Sequence, residues 1–137
     1  MAIRHATAKD YEGIRELVVG EKLSTSGFFT RERFKKALEN FGRYYLVEEQ
    51  DGRIIGCVSG FDDGGAFYGW MMRGAVVPEF RRQGIIEELT LACLEEFRKA
   101  GIPLVFAGVH ETNIAARNLV EKLGFVDEEC KLVYKEF

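Results

Sequence analysis

An apolar strand that runs into a helix through a basic, glycine-containing turn constrains this chain more than any other segment. The segment reads Val76-Val77-Pro78-Glu79-Phe80-Arg81-Arg82-Gln83-Gly84-Ile85-Ile86. The first amides of a helix have no acceptor within the helix, so the amides of residues 82–86 can bind an anion, which the helix dipole also favours. Gly84 lets the anion approach the backbone closely. The alternative is an ordinary strand-to-helix turn with solvated arginines.

The length and charge of the chain restrict the class of protein. The chain has 137 residues, and we expect residues 1–137 to form a single domain, because a domain near this size buries roughly two-thirds of its unfolded surface. Nineteen basic and 22 acidic residues give a net charge of −3. This balance argues against a general binder of nucleic acid or membrane surfaces. An anion site must therefore be built locally, as around Arg81 and Arg82.

The cysteines and the apolar runs bear on metal binding and location. Cys57, Cys93 and Cys130 are too far apart in sequence to form a pair of metal ligands, so we expect reduced thiols and no metal site. The chain opens without an apolar run of signal-peptide length, and no stretch of about 18 apolar residues occurs. A cytoplasmic location is therefore expected.

Periodicity and turn signals predict an order of helices and strands. After a short first strand, helices are predicted at residues 8–19, from a Thr30 cap to residues 40–42, from Gly84 to residue 100, and at residues 113–123. Strands are predicted at residues 43–49, 53–61, 66–77, 104–109 and 129–137. Thr7 and Asp10 suggest a capping box, Asp51-Gly52 a hairpin turn, and Gly74 a bulge. The strand, helix and strand around Gly84 form a crossover unit with parallel neighbouring strands.

Two motifs follow the two strands of this crossover unit. The first is R-R-Q-G-I-I after V-V-P-E-F, and the second is Asn113-x-x-Ala116-x-x-Leu119 followed by Gly124-Phe125. Together they resemble the motifs of the GNAT acetyltransferase superfamily, over essentially the whole chain. The resemblance implies an α/β (α+β) fold with a mixed, mostly antiparallel twisted sheet, a central parallel strand pair and four helices. It also implies an N-acyltransferase that moves an acetyl or other small acyl group from acyl-coenzyme A to a primary amine.

The same resemblance implies a binding site for acetyl-coenzyme A (acetyl-CoA). The residues that it assigns to the cofactor are Val76, Val77, Arg81, Arg82, Gln83, Gly84, Ile85, Ile86, Asn113 and Ala116. The helix amides would hold the pyrophosphate, the strand edge would bind the pantetheine arm, and Ala116 is small enough to let the arm pass. Taken alone, Asn113 is better explained as a helix cap, but its spacing from the phosphate turn favours the role in cofactor binding. Ile86 stands where the family usually has Gly or Ala, and it either packs in the core or narrows the pyrophosphate site.

Two residues are candidates for proton transfer. His110 is the candidate base, since an unperturbed histidine titrates near pH 6.5, and Tyr134 in the closing strand is the candidate proton donor. A loop hydrogen bond for His110 and ordinary strand packing for Tyr134 are the structural alternatives. Val120 replaces a tyrosine that the family often uses as acid, and strand 66–77 lacks Asp and Glu. The alternative function is therefore a non-catalytic coenzyme A-binding or interaction domain.

The acceptor and the partners are predicted only in outline. We expect a small-molecule or peptide amine to enter between residues 23–29 and the closing strand, where Phe28 and Phe29 suggest a partly apolar pocket or simply core. Nucleic acid and membrane are not expected as partners. Only one strand follows Gly124 where the family usually has two, so either the sheet edge is shortened or a second subunit completes it in a homodimer.

Overall fold

A five-stranded sheet forms the centre of the protein. The structure is a computed structural model that describes residues 2–20 and 26–137. The strands are β1 (Ala2–His5), β2 (Leu46–Gln50), β3 (Arg53–Asp62), β4 (Tyr68–Val76) and β5 (Leu104–Ala107). They lie in the order β1-β2-β3-β4-β5, and all neighbours are antiparallel except the parallel pair β4 and β5. The predicted mixed, mostly antiparallel sheet is confirmed.

The predicted four helices are also found. They are α1 (Tyr11–Gly20), α2 (Arg31–Phe41), α3 (Ile85–Lys99) and α4 (Ile114–Lys122). A 3₁₀ turn, Ala8–Asp10, precedes α1 and places Asp10 at the third position, where its carboxylate accepts the Thr7 amide at 2.8 Å. The Thr30 hydroxyl caps α2 by accepting the Arg33 amide at 3.3 Å. Within residues 2–20 and 26–137, no helix is both long enough and apolar enough to cross a bilayer.

The hairpin between β2 and β3 turns at Asp51-Gly52 as predicted. The φ angles of Asp51 and Gly52 are 52° and 76°. Two successive positive φ values are what a type I′ turn requires, and this turn matches the twist of the strands that it joins. Gln50 consequently pairs with Arg53 at the start of the ladder.

Helix α3 covers one face of the sheet. Its Leu89, Cys93 and Phe97 side chains are almost completely buried. Gly60 and Gly69 make room for Phe97, because a Cβ atom on Gly60 would lie 2.9 Å from the Phe97 Cζ atom and one on Gly69 would overlap the ring. Since successive strand residues point to opposite faces, Ser59, Phe61, Trp70 and Met72 belong to the other face, which α1 and α2 partly cover.

Two strands start later than predicted. Residues 43–45 precede β2 because Gly42–Tyr44 form a 3₁₀ turn, closed by the Tyr45 amide donating to the Gly42 carbonyl at 3.1 Å. Residues 66 and 67 precede β4 because the Asp63 carboxylate accepts both of their amides at 3.0 Å. A side chain that bonds to nearby amides offers the backbone an alternative to the strand ladder.

The predicted closing strand at residues 129–137 is wrong. Residues 125–137 contain neither helix nor strand, and we call residues 126–137 the C-terminal tail. Leu132, Val133 and Tyr134 are 78%, 76% and 86% exposed. Strand preference reflects packing on a neighbouring strand and face, and the described part of the chain offers the tail no such neighbour. The parallel pair β4 and β5 therefore lies at the edge of the sheet, not at its centre.

Candidate functional site

Strands β4 and β5 separate before β4 ends. Their parallel pairing runs from Tyr68 with Leu104 to Met71 with Ala107, where β5 stops. Strand β4 continues to Val76, and its last five residues have no strand beside them on that edge within residues 2–20 and 26–137. We call the space between the unpaired edge of β4 and the segment that follows β5 the wedge.

A bulge in β4 turns the strand at this point. Ser59 pairs with Met72 and Cys57 with Ala75, so β4 carries one more residue than β3 between these pairs. Arg73 lies in this interval with a φ of 53°, in the left-handed region that few side chains adopt. A bulge bends its strand and increases the local twist. The bulge predicted near Gly74 is confirmed, and it lies directly after the last pair between β4 and β5.

Beyond the bulge, successive backbone amides of β4 point alternately towards β3 and towards the wedge. The Val77 amide donates to the Ile55 carbonyl of β3 at 2.9 Å. Because neighbouring residues of a strand direct their amides to opposite edges, the amide of Val76 faces the wedge. The Val76 carbonyl accepts from the Arg81 Nε at 3.1 Å, which places Arg81 across the end of β4.

The turn before α3 presents helix amides to open space. Arg82 and Gly84 both have left-handed φ angles, 63° and 81°. The Glu88 amide makes the first helical bond, to the Gly84 carbonyl at 3.0 Å, so the amides of residues 85–87 have no acceptor within the helix. A Cβ atom on Gly84 would meet no atom within 4 Å. These residues therefore suit a phosphate group, and Gly84 keeps its approach clear.

Two side chains near this turn are turned away from it. A Cβ atom on Gly74 would lie 3.1 Å from the Ile86 Cδ1 atom, so Ile86 packs on the bulge of β4 and not over the end of the helix. Glu87 pairs with Lys122 of α4 at 2.9 Å. This pairing offsets a negative charge that would oppose an anion at the first turn of α3.

The segment that follows β5 and borders the wedge leads to the start of α4. The Asn113 side-chain oxygen accepts the Ala116 amide at 3.0 Å and so caps α4. Asn113 is exposed and Ala116 is half-buried. Because the oxygen of Asn113 is used in the cap, its amide NH₂ group is the part that can donate to a ligand. The two functions considered for Asn113 are therefore compatible.

The two candidate proton-transfer residues lie in different surroundings. His110 follows β5 and is exposed, and its backbone carbonyl accepts the Asn113 amide at 3.0 Å. It thus belongs to the segment that borders the wedge. Tyr134 lies in the exposed C-terminal tail, because the strand that was expected to carry it does not form. The structure does not bring these two residues together.

The predicted entrance for an acceptor is only partly described. Residues 23–25 lie outside the described part of the chain, and the closing strand is absent. Phe29 is buried and stacks on Tyr11 with ring centroids 5.5 Å apart, so it belongs to the core. Phe28 is 48% exposed. Trp70 is half-buried and stacks on Phe106 of β5 at 4.9 Å, which makes an aromatic surface beside the wedge.

A cavity that sequence reasoning missed lies between α2 and the open face of β3 and β4. Its volume is about 240 Å³. Its walls include Arg33, Lys36 and Phe41 of α2, and Tyr45, Ser59, Phe61, Met72 and Arg73 from the sheet side. The sequence hints at this cavity only through α2, where positions 33, 36, 37 and 40 share one face of the helix. The strand residues come together through tertiary pairing alone.

Tyr45 lines this cavity, and its buried hydroxyl has no hydrogen bond to a described residue. Tyr45 is 2% exposed, and its hydroxyl has no partner among the described residues. Burial and, to a smaller extent, the negative charge of a Cys57 thiolate raise the pKa of Tyr45 to about 12. Ser59 and Arg73 are near enough to oppose this shift, but neither meets the geometry of a hydrogen bond to the hydroxyl. The Ser59 hydroxyl instead donates to the Met72 carbonyl at 3.1 Å.

The comparisons with known proteins agree with this fold. The profile of the acetyltransferase (GNAT) family matches residues 5–125. Ard1 from Thermoplasma volcanium is 23% identical, with a TM-score of 0.78 over 91% of this chain and 82% of its own. The PaiA N-acetyltransferase from Thermoplasma acidophilum, solved with coenzyme A, is 20% identical, with a TM-score of 0.80 over 95% and 92%. A putative acetyltransferase from Agrobacterium tumefaciens is 15% identical, with a TM-score of 0.80 over 99% and 100%. No curated protein sequence gives a significant match.

Proposed function

The chain belongs to the acetyltransferase (GNAT) family, and we propose that it is an N-acyltransferase that moves an acetyl or other small acyl group from acyl-coenzyme A to a primary amine. The observation that carries this proposal is the unpaired end of β4, which leads through a short turn to the free amides at the start of α3. One structurally similar protein, the Thermoplasma acidophilum N-acetyltransferase, was solved with coenzyme A.

The residues of the wedge fit acetyl-CoA. The amides of residues 85–87 suit the pyrophosphate, and Gly84 leaves the space beside them open. The amide of Val76 is directed at the gap, where an extended pantetheine amide could pair with the strand edge. The Asn113 NH₂ group is available from the opposite side. When bound, acetyl-CoA supplies a thioester carbonyl that an amine can attack.

The main contribution of the protein to the reaction is to hold the amine and the acyl group next to each other. An amine held beside the unpaired edge of β4 is placed where the acyl group is expected, and such placement can lower a barrier by roughly 7 to 11 kcal/mol in the best-oriented cases. His110 is exposed at the border of the wedge and is our proposed base for the amine proton. Tyr134 can serve as proton donor only if the C-terminal tail closes over the wedge.

The second candidate function is a non-catalytic coenzyme A-binding domain. Two observations favour it: Val120 occupies the position of a frequent acid, and β4 carries neither Asp nor Glu. Both candidates share the cofactor site and differ only in turnover.

Binding and turnover are tested in sequence. Saturation with acetyl-CoA at 100 times its dissociation constant is expected to stabilise the protein by about 2.7 kcal/mol, measured as a shift in thermal unfolding. No shift at millimolar acetyl-CoA contradicts both candidates. If binding is seen, release of free thiol across a panel of amines supports the enzyme, and its absence across the panel supports the binding domain.

The role of His110 has its own test and control. We expect His110→Ala to lower kcat by about 100-fold, the lower end of general base effects, and to leave the dissociation constant for acetyl-CoA unchanged. His5→Ala is the matched control, since His5 is exposed on β1. Equal turnover in both variants would remove His110 from the mechanism but not the proposed function.

We also propose that two copies associate through the open edge of β5 and the C-terminal tail. The edge of β5 has no strand beside it in the described residues, and the tail carries exposed Leu132, Val133, Tyr134 and Phe137. An unpaired edge and an unpaired extended segment with apolar side chains are complementary.

A further inference from the structure

The cavity between α2 and the sheet is positively charged although the protein is negative overall. Arg33, Lys36 and Arg73 are the charged residues of its wall, and no Asp or Glu lines it. Arg33 and Lys36 are exposed on α2, and neither is in an ion pair with another described residue. Two such side chains over one small opening attract an anion, and they do so against a net charge of −3.

Tyr45 lines the cavity and carries a potential hydrogen-bond donor. Its hydroxyl is buried and has no partner among the described residues. A buried hydroxyl without a partner is unfavourable, and such groups in native proteins call for an explanation. A ligand oxygen that reached this hydroxyl would accept its hydrogen and satisfy it.

The rest of the wall is apolar and confines the ligand. Phe41 and Phe61 lie 6.0 Å apart at their ring centroids, and Ala37 and Met72 complete this part of the wall. A volume of about 240 Å³ is below the range of roughly 300 to 1,000 Å³ for drug-sized ligands. The cavity therefore suits a small molecule that has an apolar part and an anionic end.

The cavity adjoins the place where the acyl group is expected. Met72 lines the cavity and is the first residue of β4 beyond its last pair with β5. Arg73, the next residue, forms both the bulge and part of the wall. A ligand in the cavity thus lies against the same stretch of β4 that borders the wedge.

We propose that this cavity binds the acyl acceptor, and that the acceptor is a small amine that also carries a carboxylate, such as an amino acid with an apolar side chain. Arg33, Lys36 and the Tyr45 hydroxyl recognise the carboxylate, while Phe41 and Phe61 contact the apolar part. The amine is then left to face the wedge. This inference rests on the proposed acyl transfer and names its substrate class.

Matched pairs of amines test the carboxylate. Phenylalanine and 2-phenylethylamine differ only in this group, as do tyrosine and tyramine. We expect kcat/KM to be at least tenfold higher for the member with the carboxylate, as a charge-assisted hydrogen bond allows. Equal or higher kcat/KM for the amines without a carboxylate overturns the inference and leaves the proposed function intact.

Variants of the cavity residues test whether the carboxylate binds in this cavity. The double variant Arg33→Gln/Lys36→Gln is expected to raise KM for phenylalanine about tenfold and to leave KM for 2-phenylethylamine and kcat nearly unchanged. Lys35→Gln is the control, because Lys35 is an exposed cation of α2 that does not line the cavity. Tyr45→Phe keeps the ring and is expected to raise KM for phenylalanine about fivefold. Unchanged KM values in both cavity variants overturn the inference.

A binding measurement separates this inference from the proposed function. Titration of the protein with phenylalanine, followed by NMR shifts of backbone amides, needs no acyl transfer. Shifts at residues 33–41, 45 and 72–73 that are lost in the double variant support the carboxylate site even if no amine is acetylated. Acetylation of amines without any such shifts supports the proposed function and contradicts the site.

Discussion

Two buried polar groups, the Tyr45 hydroxyl and the Glu48 carboxylate, each contain an oxygen without a partner among the described residues. They differ in what they face. Tyr45 lines a cavity that a ligand can enter. Glu48 is 1% exposed and pairs across the ladder with Gly56, whose missing Cβ atom would touch Leu89 and Ile85 of α3. Glu48 is therefore covered by α3, and its oxygen has no access to a ligand.

The buried position of Glu48 predicts a pH-dependent stability. Burial raises the pKa of the Glu48 carboxyl, and the negative charge of Glu88 adds to the shift. Because the folded-state pKa lies above the unfolded one, the contribution of Glu48 to stability is most favourable below the ordinary carboxyl pKa. It is lost as pH rises through the raised value. Glu48→Gln cannot ionise and should avoid this loss.

Unfolding in urea at two pH values checks this expectation. At pH 8, Glu48→Gln should be more stable than the parent by about 1 to 2 kcal/mol, the scale of an uncompensated buried polar group. At pH 4 the difference should shrink towards zero. Glu39→Gln, an exposed carboxylate of α2, should show no such trend. A Glu48→Gln protein that is less stable at pH 8 would mean that the carboxylate has a favourable partner.

At the level of elements, a glycine with a left-handed φ angle lies at each end of α3, but only the one at the start of the helix is proposed to serve cofactor binding. Gly84 precedes the helix with a φ of 81°, and Gly101 follows it with a φ of 78°. A Cβ atom at either position would meet no atom within 4 Å. Alanine at either site should therefore incur the same strain, about 1 kcal/mol. Only Gly84 lies beside the amides that are proposed to hold the pyrophosphate.

This symmetry yields a prediction with an internal control. Gly84→Ala and Gly101→Ala should each lower the free energy of unfolding by about 1 kcal/mol. Gly84→Ala should in addition raise the dissociation constant of coenzyme A about tenfold, because its methyl group enters the space of the phosphate, while Gly101→Ala should leave it unchanged. Calorimetric titration with coenzyme A measures both. Equal affinities in the two variants would place the pyrophosphate elsewhere.

The elements that sequence reasoning predicted are those with local causes. Asp51-Gly52 and the Thr30 cap act within a few residues, so a short window contains their whole explanation. The tail resembled a strand because Leu132, Val133 and Tyr134 favour extended backbone, but a strand also needs a partner.

The candidate site shows the same division. The glycine and the neighbouring arginines predicted the turn at Gly84, and a glycine within a strand predicted the bulge near Gly74. The cavity was not, because Tyr45, Ser59 and Met72 are distant in sequence and meet only through the register of β2, β3 and β4. The edge to which Val77 directs its amide depends on the same register.

For the molecule as a whole, the unequal covering of the sheet underlies both the proposed function and the proposed association of two copies. Helix α3 buries one face, whereas the other face is open over Trp70 and Phe106 and ends at the free edge of β5. Leu104 and Tyr68 beside this edge are 48% and 46% exposed. The proposed association of two copies would cover this surface, as unpaired edges with exposed apolar side chains often require.

The proposed exchange of tails makes the oligomeric state depend on the tail. Sedimentation velocity over a range of concentrations should show a monomer–dimer equilibrium for the parent chain. Deletion of residues 126–137 should give a monomer, because the tail makes no helix or strand with its own chain. Its unfolding temperature should equal that of the parent at concentrations where the parent is also monomeric. In a symmetric dimer, the tail of each copy pairs with the β5 edge of the other copy, so both free edges are covered together. Loss of the tail removes both of these contacts and should therefore abolish the dimer.

Point variants distinguish strand pairing from mere apolar adhesion. Val133→Pro removes an amide that the ladder needs and should abolish the dimer, whereas Val133→Thr keeps that amide and the β-branched shape and should preserve it. If Val133→Thr dissociates as completely as Val133→Pro, apolar contact and not backbone pairing holds the copies together. A parent chain that stays monomeric at every concentration contradicts the association itself but leaves the wedge and the cavity, which lie within one copy, unaffected.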